Sequence, residues 1–368
     1  MGDTRDETPT LLDAADALRL VSAFFENEWP RTGVSDIRTR RVTGGMINTL
    51  QLISRDTAAI DEPGTVLIRH FGLDGDGEDP PEDGVTLSAA QQGLVHWEMD
   101  RKGWGPRLYG LFPGGRLEEY IDSHPLTAAE STEATIRQDV ARSYARLHSL
   151  QLPLRRNSFK MVVEKLSQNS QSKHDQVQEE LLAVEDPRAL EYATVFHDTD
   201  WTRELNWVSG LFEKHKCKTT VTHGDPNYLN ILVKNFESEC RTILIDYETM
   251  AYSYRGIDIG GHFNERMYCY NQGDSQLTGY GPPGLDEQRL FCEAYLQEMR
   301  ALGQELSEQD TVEHLLLEAN IGRLYSLLFT NLMCTVLDEV EAEPPFLSGL
   351  AHMMNTYRQL KREFVKTH

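Results

Sequence analysis

Residues 220–233 read TVTHGDPNYLNILV and residues 242–248 read TILIDYE. The first stretch passes from a β-branched run, Thr220-Val221-Thr222, through a polar loop into a second apolar run, Ile231-Leu232-Val233, which is the pattern of strand, loop, strand. Within the loop, Asp225 and Asn230 stand five residues apart with a turn between them. The second stretch is an apolar strand closed by Asp246. Taken singly, Asp225-Pro226-Asn227 reads equally well as a plain turn and Asp246 as a strand-end carboxylate, since these residue types favour turns. Taken together, the two short strands present a carboxylate, a carboxamide and a second carboxylate, all hard-oxygen groups.

His-x-Asp-x-x-x-x-Asn is the spacing of a phosphoryl-transfer catalytic loop, in which the Asp accepts a proton from the attacking hydroxyl and the Asn oxygen ligates magnesium. Asp246, in Asp246-Tyr247-Glu248, then corresponds to the metal-binding Asp of a protein kinase's Asp-Phe-Gly. His223 is expected to orient the loop through hydrogen bonds rather than to transfer a proton. The chain has no His-Arg-Asp, Asp-Phe-Gly or Ala-Pro-Glu, which counts against a protein kinase proper.

Outward from these stretches, residues 11–29 carry Leu11, Leu12, Ala15, Leu18, Leu20, Val21, Phe24 and Phe25 mostly at helical spacing and predict a leading amphipathic helix. Residues 40–43, 48–54 and 65–71 read as strands, as do 108–112 and 116–121, and together they predict an antiparallel sheet. Between them, residues 72–84 (GLDGDGEDPPEDG) hold too little apolar surface to pack and read as an exposed acidic loop. Residues 88–102 predict a helix stopped by Gly103, Gly105 and Pro106, Ile136 to Leu150 a second, and residues 312–337 a more buried one. The expected class is therefore α+β, with a lobe boundary after Ile121: residues 1–121 form the smaller, sheet-containing lobe and 122–368 the larger, mostly helical one.

The formal charge is 36 − 58 = −22, a field that repels nucleic acid and anionic membranes and favours the approach of a small cation. Five widely spaced cysteines, Cys217, Cys240, Cys269, Cys292 and Cys334, form no C-x-x-C pair and suggest neither a disulfide framework nor a zinc site. No apolar stretch is long enough to cross a bilayer, and the acidic N-terminus does not resemble a signal peptide. A cytoplasmic protein without a nucleic-acid partner or stable membrane insertion is expected.

Ile245-Asp246-Tyr247-Glu248, followed by Tyr254-Arg255-Gly256-Ile257-Asp258-Ile259-Gly260-Gly261-His262-Phe263-Asn264-Glu265, resembles the signature block of the choline/ethanolamine kinase family. Residues 105–121 (GPRLYGLFPGGRLEEYI), Arg255-Gly256 and Met267-Tyr268 are more similar to its choline kinase branch. The resemblance implies a two-lobed protein-kinase-like fold with a small antiparallel β-sheet N-lobe, a larger helical C-lobe, and ATP and Mg2+ as cofactors. It implies Asp225 as base, Asn230 and Asp246 as magnesium ligands and Glu248 as an assistant to the metal. Arg69 resembles the family's phosphate-contacting Arg, Gly44, Gly45 and Asn48 its nucleotide loop, and Glu119 and Ile121 the segment that meets adenine. Asp225, Asn227, Glu265 and Tyr270 correspond to the amino-alcohol site. The activity implied is ATP-dependent phosphorylation of choline to phosphocholine, the first step of the CDP-choline route to phosphatidylcholine, by a possible homodimer. The alternatives are ethanolamine kinase, an aminoglycoside-type phosphotransferase, and a pseudokinase that binds a partner.

The sequence departs from the family pattern in three places. Gly224 stands where choline kinases more often carry Asn. Thr249, Thr330 and Met333 stand where the family has aromatic residues that hold a quaternary ammonium. Tyr325, Phe329 and Phe346 are the candidates to rebuild that aromatic cage. No αC-type Glu partner for Arg69 stands out, and Glu98 is the candidate.

Overall fold

In a computed structural model of the chain, residues 11–42, 48–56, 61–71, 86–269, 276–337 and 343–368 are described. The described residues fall into two compact units, one within residues 1–123 and one that takes in all of residues 124–368. The first holds helix α1 (Ala14–Ser22), strands β1 (Ile37–Val42), β2 (Thr49–Arg55) and β3 (Thr65–His70), helix α2 (Ala89–Arg101), and strands β4 (Leu108–Phe112) and β5 (Gly115–Glu119). Its five strands are ordered β1-β2-β3-β5-β4, and each pairing is antiparallel. One face of the sheet sends Ile53, Val66, Ile68 and Leu117 against Ala17, Leu18 and Val21 of α1 and against Trp29. Because side chains alternate along a strand, Arg69, Arg116 and Glu118 belong to the opposite face.

The leading helix is shorter than its apolar pattern predicts. Asp13 caps it by accepting the Asp16 N–H at 2.8 Å, and it ends at Ser22. Beyond it the chain turns so that Trp29 is fully buried, and the N–H groups of Asn27, Glu28 and Trp29 all donate to the Glu62 carboxylate. A helix running on to Trp29 would leave that carboxylate without its donors.

The second unit is mostly helical. It comprises β6 (Ser123–Pro125), α3 (Ala134–His148), α4 (Ser158–Ser172), α5 (His174–Leu182), α6 (Pro187–His197), α7 (Trp201–Lys214), β7 (Thr219–Thr222), β8 (Ile231–Lys234), β9 (Thr242–Leu244), β10 (Ala251–Tyr254), α8 (Arg255–Glu265), α9 (Leu285–Ala301), α10 (Val312–Leu332) and α11 (Pro344–Thr367). The predicted helix 312–337 is α10 plus a wider π-helical turn, Met333–Leu337. Two small sheets matter for the site. β7 pairs with β10, so that Thr222 faces Ala251, and β8 pairs with β9, so that Ile231 faces Leu244. Residues 223–230 and 245–250 therefore emerge from the ends of the same two ladders.

Every residue of α8 is buried. It crosses α10 at backbone contact distance: a Cβ on Gly322 of α10 would collide with the carbonyl oxygen of Gly256, and one on Gly256 with that of Glu318. Beside this crossing Arg255 makes a bidentate pair with Glu318, at 2.7 and 3.0 Å, and reaches Asp310. Such a buried network is stable only because each charge is matched. Cys217, Cys240 and Cys292 lie buried in this unit as free thiols, and burial pushes Cys217 and Cys292 up to about 12.

Candidate active site

The loop after β7 is held from below by Asp258 of α8, which is fully buried. Its carboxylate accepts the backbone N–H groups of His223, at 2.6 Å, and Gly224, at 3.0 Å. His148 Nε2 lies 3.0 Å from the same carboxylate, and His148 Nδ1 lies 3.0 Å from the Tyr295 hydroxyl. The carboxylate can only accept, so His148 donates from Nε2 to Asp258, and its other ring nitrogen is engaged by Tyr295. Burial works to raise the Asp258 pKa, but His148, His223 and the loop N–H hold it below the usual carboxylate range. Gly224 has φ +85°, and a Cβ there would strike the carbonyl oxygen of Thr249. The departure at Gly224 thus has a local cause, since Thr249 closes in on the loop and donates from its hydroxyl to the His223 carbonyl at 2.9 Å.

The two segments named at the outset are stitched together at Ile245. Its N–H donates to the Asn230 carbonyl at 3.0 Å, and its carbonyl accepts from His223 Nε2 at 2.8 Å. His223 is a brace in this structure. The next residue, Asp246, has φ +66°, a left-handed conformation that is costly for a non-glycine residue and that collects at functional sites. Asp225 accepts the Asn227 N–H at 3.2 Å and Asn230 Nδ2 at 2.7 Å. Because the carboxamide is planar, that second bond turns Asn230 Oδ1 away from Asp225. Burial raises the Asp225 pKa and the Asp246 charge adds to the rise, while His223 opposes it. Asn227 lends its side-chain oxygen to the Leu229 N–H at 2.9 Å. Glu248 lies in the turn after Asp246, half-buried.

Glu265 is the last residue of α8 and is buried. Burial raises the pKa of the buried Tyr144 phenol, and the charges of Asp258, Asp225 and Glu265 raise it further. Among the described residues no three His, Cys, Asp or Glu side chains converge as a metal cluster. Magnesium keeps several waters and takes one or two carboxylates, so the oxygens of Asn230, Asp246 and Glu248 are a donor set of the kind it uses.

In the first unit Arg69 is buried, and its partner is Glu118 on β5, with Arg69 Nε 2.7 Å from Glu118 Oε1. Glu98, the candidate read from sequence, instead pairs with Arg101 at 2.8 Å on the surface of α2. Asn48 directly precedes β2. Glu119 ends β5, where its N–H donates to the Arg107 carbonyl and its carboxylate accepts the Arg107 N–H. The Ile121 carbonyl accepts from the Ser123 hydroxyl. Gly44, Gly45, Tyr270 and the acidic stretch 72–84 lie outside the described residues.

The family model for choline/ethanolamine kinase matches residues 39–343. The chain belongs to the choline/ethanolamine kinase family. Family membership makes it a phosphotransferase, and curated members are similar over most of its length. A choline/ethanolamine kinase of Rattus norvegicus is 28% identical over 323 residues, covering 85% of this chain and 77% of the relative. Among solved structures, a choline kinase from Cryptosporidium parvum matches with a TM-score of 0.70 at 18% identity, covering 96% of this chain and 97% of that one. A spectinomycin phosphotransferase solved with ADP and spectinomycin matches with a TM-score of 0.54 at 12% identity, covering 95% and 100%. The fold is that of the protein-kinase-like phosphotransferases.

For this family member, sequence reading found the loop but not its supports. Asp258 stood within the signature block, and its spacing gave no sign that it underlies the loop. His148 and Tyr295 lie 110 and 37 residues from it. Tyr325, a candidate for the aromatic cage, is almost fully buried against Phe159, Phe212 and Phe329 and belongs to the core, while Phe329 and Phe346 are half-buried at the edge of that core. Among the described residues no helix is long and apolar enough to cross a membrane.

Proposed function

We propose that the chain transfers the γ-phosphoryl group of ATP to the hydroxyl of choline, giving ADP and phosphocholine. The observation that carries this is the Asp225 carboxylate, half-buried, braced by Asn227 and Asn230, with Asp246 in a strained conformation beside it. Asp225 takes the hydroxyl proton as the oxygen attacks phosphorus. Its raised pKa makes it a better base than an ordinary carboxylate. Asn230, Asp246 and Glu248 would hold magnesium, which when bound neutralises charge on the phosphate oxygens. Arg69 grips a phosphate through its planar fork, Gly44, Gly45 and Asn48 form the phosphate loop, and Glu119 and Ile121 border the adenine. Nucleotide use is supported by the ADP in the similarly folded spectinomycin phosphotransferase. Asn227, Glu265 and Tyr270 face the amino alcohol, with Glu265 countering its positive charge. A nucleotide-binding role for residues 1–121 and a catalytic role for 122–368 belong to the same reading.

Ethanolamine is the second reading, favoured by the burial of Tyr325. With that ring in the core, an ammonium that can donate N–H bonds to Glu265 gains over one held by aromatic faces alone. The test is ADP release with Mg-ATP against choline, ethanolamine, the methylated ethanolamines and aminoglycosides. Turnover of choline above ethanolamine is expected. Turnover of no amino alcohol would overturn both readings.

A further inference from the structure

In protein kinases the phosphate-gripping Lys of strand β3 is held by a Glu from the neighbouring helix, and movement of that helix assembles or dismantles the site. Arg69 occupies strand β3 here, and the helix beside it in sequence, α2, has two acidic residues. Neither serves it. Glu98 pairs with Arg101, and Asp100 accepts the Leu108 N–H at 3.0 Å.

The sheet itself supplies the carboxylate. Arg69 stands directly opposite Arg116 in the β3–β5 register, and Glu118 lies two residues further along β5, on the same face. Glu118 Oε1 accepts from Arg69 Nε at 2.7 Å and from Arg116 Nε at 2.5 Å, and all three side chains are at least 94% buried. Burial opposes ionisation of Glu118, but Arg69 and Arg116 override it and keep the carboxyl far below its usual range. The bond to Arg69 is made at Nε, the base of the fork, so it fixes the plane of the guanidinium. From α2, Gln92 accepts from Arg116 at 3.3 Å, and His96, lowered to about 3 first by burial and then by Arg116, carries no charge near neutrality.

We propose that Glu118 is the positioning residue for Arg69, and that the sheet holds this guanidinium ready for phosphate independently of helix α2. This rests on the reading of Arg69 as a ligand of the nucleotide phosphates.

The test is Mg-ATP binding by isothermal titration without acceptor, together with steady-state kinetics, on Arg69→Ala, Glu118→Gln, the charge-conserving Glu118→Asp, the double variant Arg69→Ala/Glu118→Gln, and Glu98→Ala. Glu118→Gln and Glu118→Asp are expected to weaken Mg-ATP about 10- to 100-fold while the KM of the amino alcohol stays within about twofold. In the Arg69→Ala background, Glu118→Gln should add less than about twofold, and Glu98→Ala should be silent. If Glu118→Gln does not fold, Glu118→Asp, which keeps the buried charge balance, carries the measurement. Normal nucleotide affinity in a folded Glu118 variant alongside a weakened Arg69→Ala overturns the positioning role. Normal affinity in Arg69→Ala overturns the phosphate-ligand reading instead. A loss in Glu98→Ala equal to that in Glu118→Gln overturns independence from α2.

Discussion

At the scale of single residues, two carboxylates in one small region are pushed in opposite directions. Asp225 is raised by burial and Asp258 is lowered by its donors. For Asp225, proposed as the base, the consequence is kinetic: it must be ionised to act, so the acid limb of the rate profile is expected above the ordinary aspartate value of 3.8. Asp225→Ala should lose about 10²- to 10⁴-fold in turnover and keep Mg-ATP binding. Turnover within tenfold of the parent chain would remove Asp225 as the base. For Asp258 the consequence is stability. A folded-state pKa below the unfolded value contributes stability that is fully present above about pH 4 and is lost as the pH falls through the lowered value. Asp258→Asn leaves at least one of its three donors facing an amide N–H2. In denaturant titrations at pH 7 it should therefore lose about 2–4 kcal/mol, with the deficit shrinking in acid; a deficit unchanged between pH 7 and pH 3 would count against this account.

At the scale of elements, the crossing of α8 and α10 positions both Asp258 and Glu265, because α8 carries them. Gly322→Ala should destabilise the chain by about 1–3 kcal/mol or more, since the added methyl meets the Gly256 carbonyl and main chain must move. It should also lower turnover, although residue 322 is remote from Asp225 in sequence; a variant with normal stability and normal activity would show that the two helices have room. The elements themselves were largely legible in the sequence. The strands around His223 and Asp246 announce themselves by short β-branched runs, and Ser88 marks the start of α2 by a capping box with Gln91. Legibility failed where partners are set by register or by packing. Glu118 is 49 residues from Arg69 and meets it only because β3 and β5 pair as they do, whereas Glu98 sits where a helix-borne partner is expected. Tyr325 looked available for a cation because an amphipathic pattern does not say which of several rings points inward. Trp29 looked helical because apolar spacing carries no information about Glu62, which takes up the N–H groups there.

At the scale of the whole molecule, a net charge of −22 acts on two substrates of opposite sign. Mg-ATP is anionic and an amino alcohol is cationic. Raising ionic strength from about 0.01 to 0.15 M shortens the screening length from about 30 to 8 Å. It should therefore raise kcat/KM for Mg-ATP and lower it for the amino alcohol, and salt trends of equal sign would show that local charges such as Arg69 and Glu265 govern encounter instead. The buried thiols bring the dimension of time to the same molecule. Burial pushes the Cys217 and Cys292 thiols up to about 12 inside the helical unit, so at neutral pH a thiol-specific label reaches these two side chains only when that unit opens. Their labelling rate becomes a clock for opening. A nucleotide or amino alcohol that slows the clock reports its own residence on the closed state, with no need for the reaction to proceed.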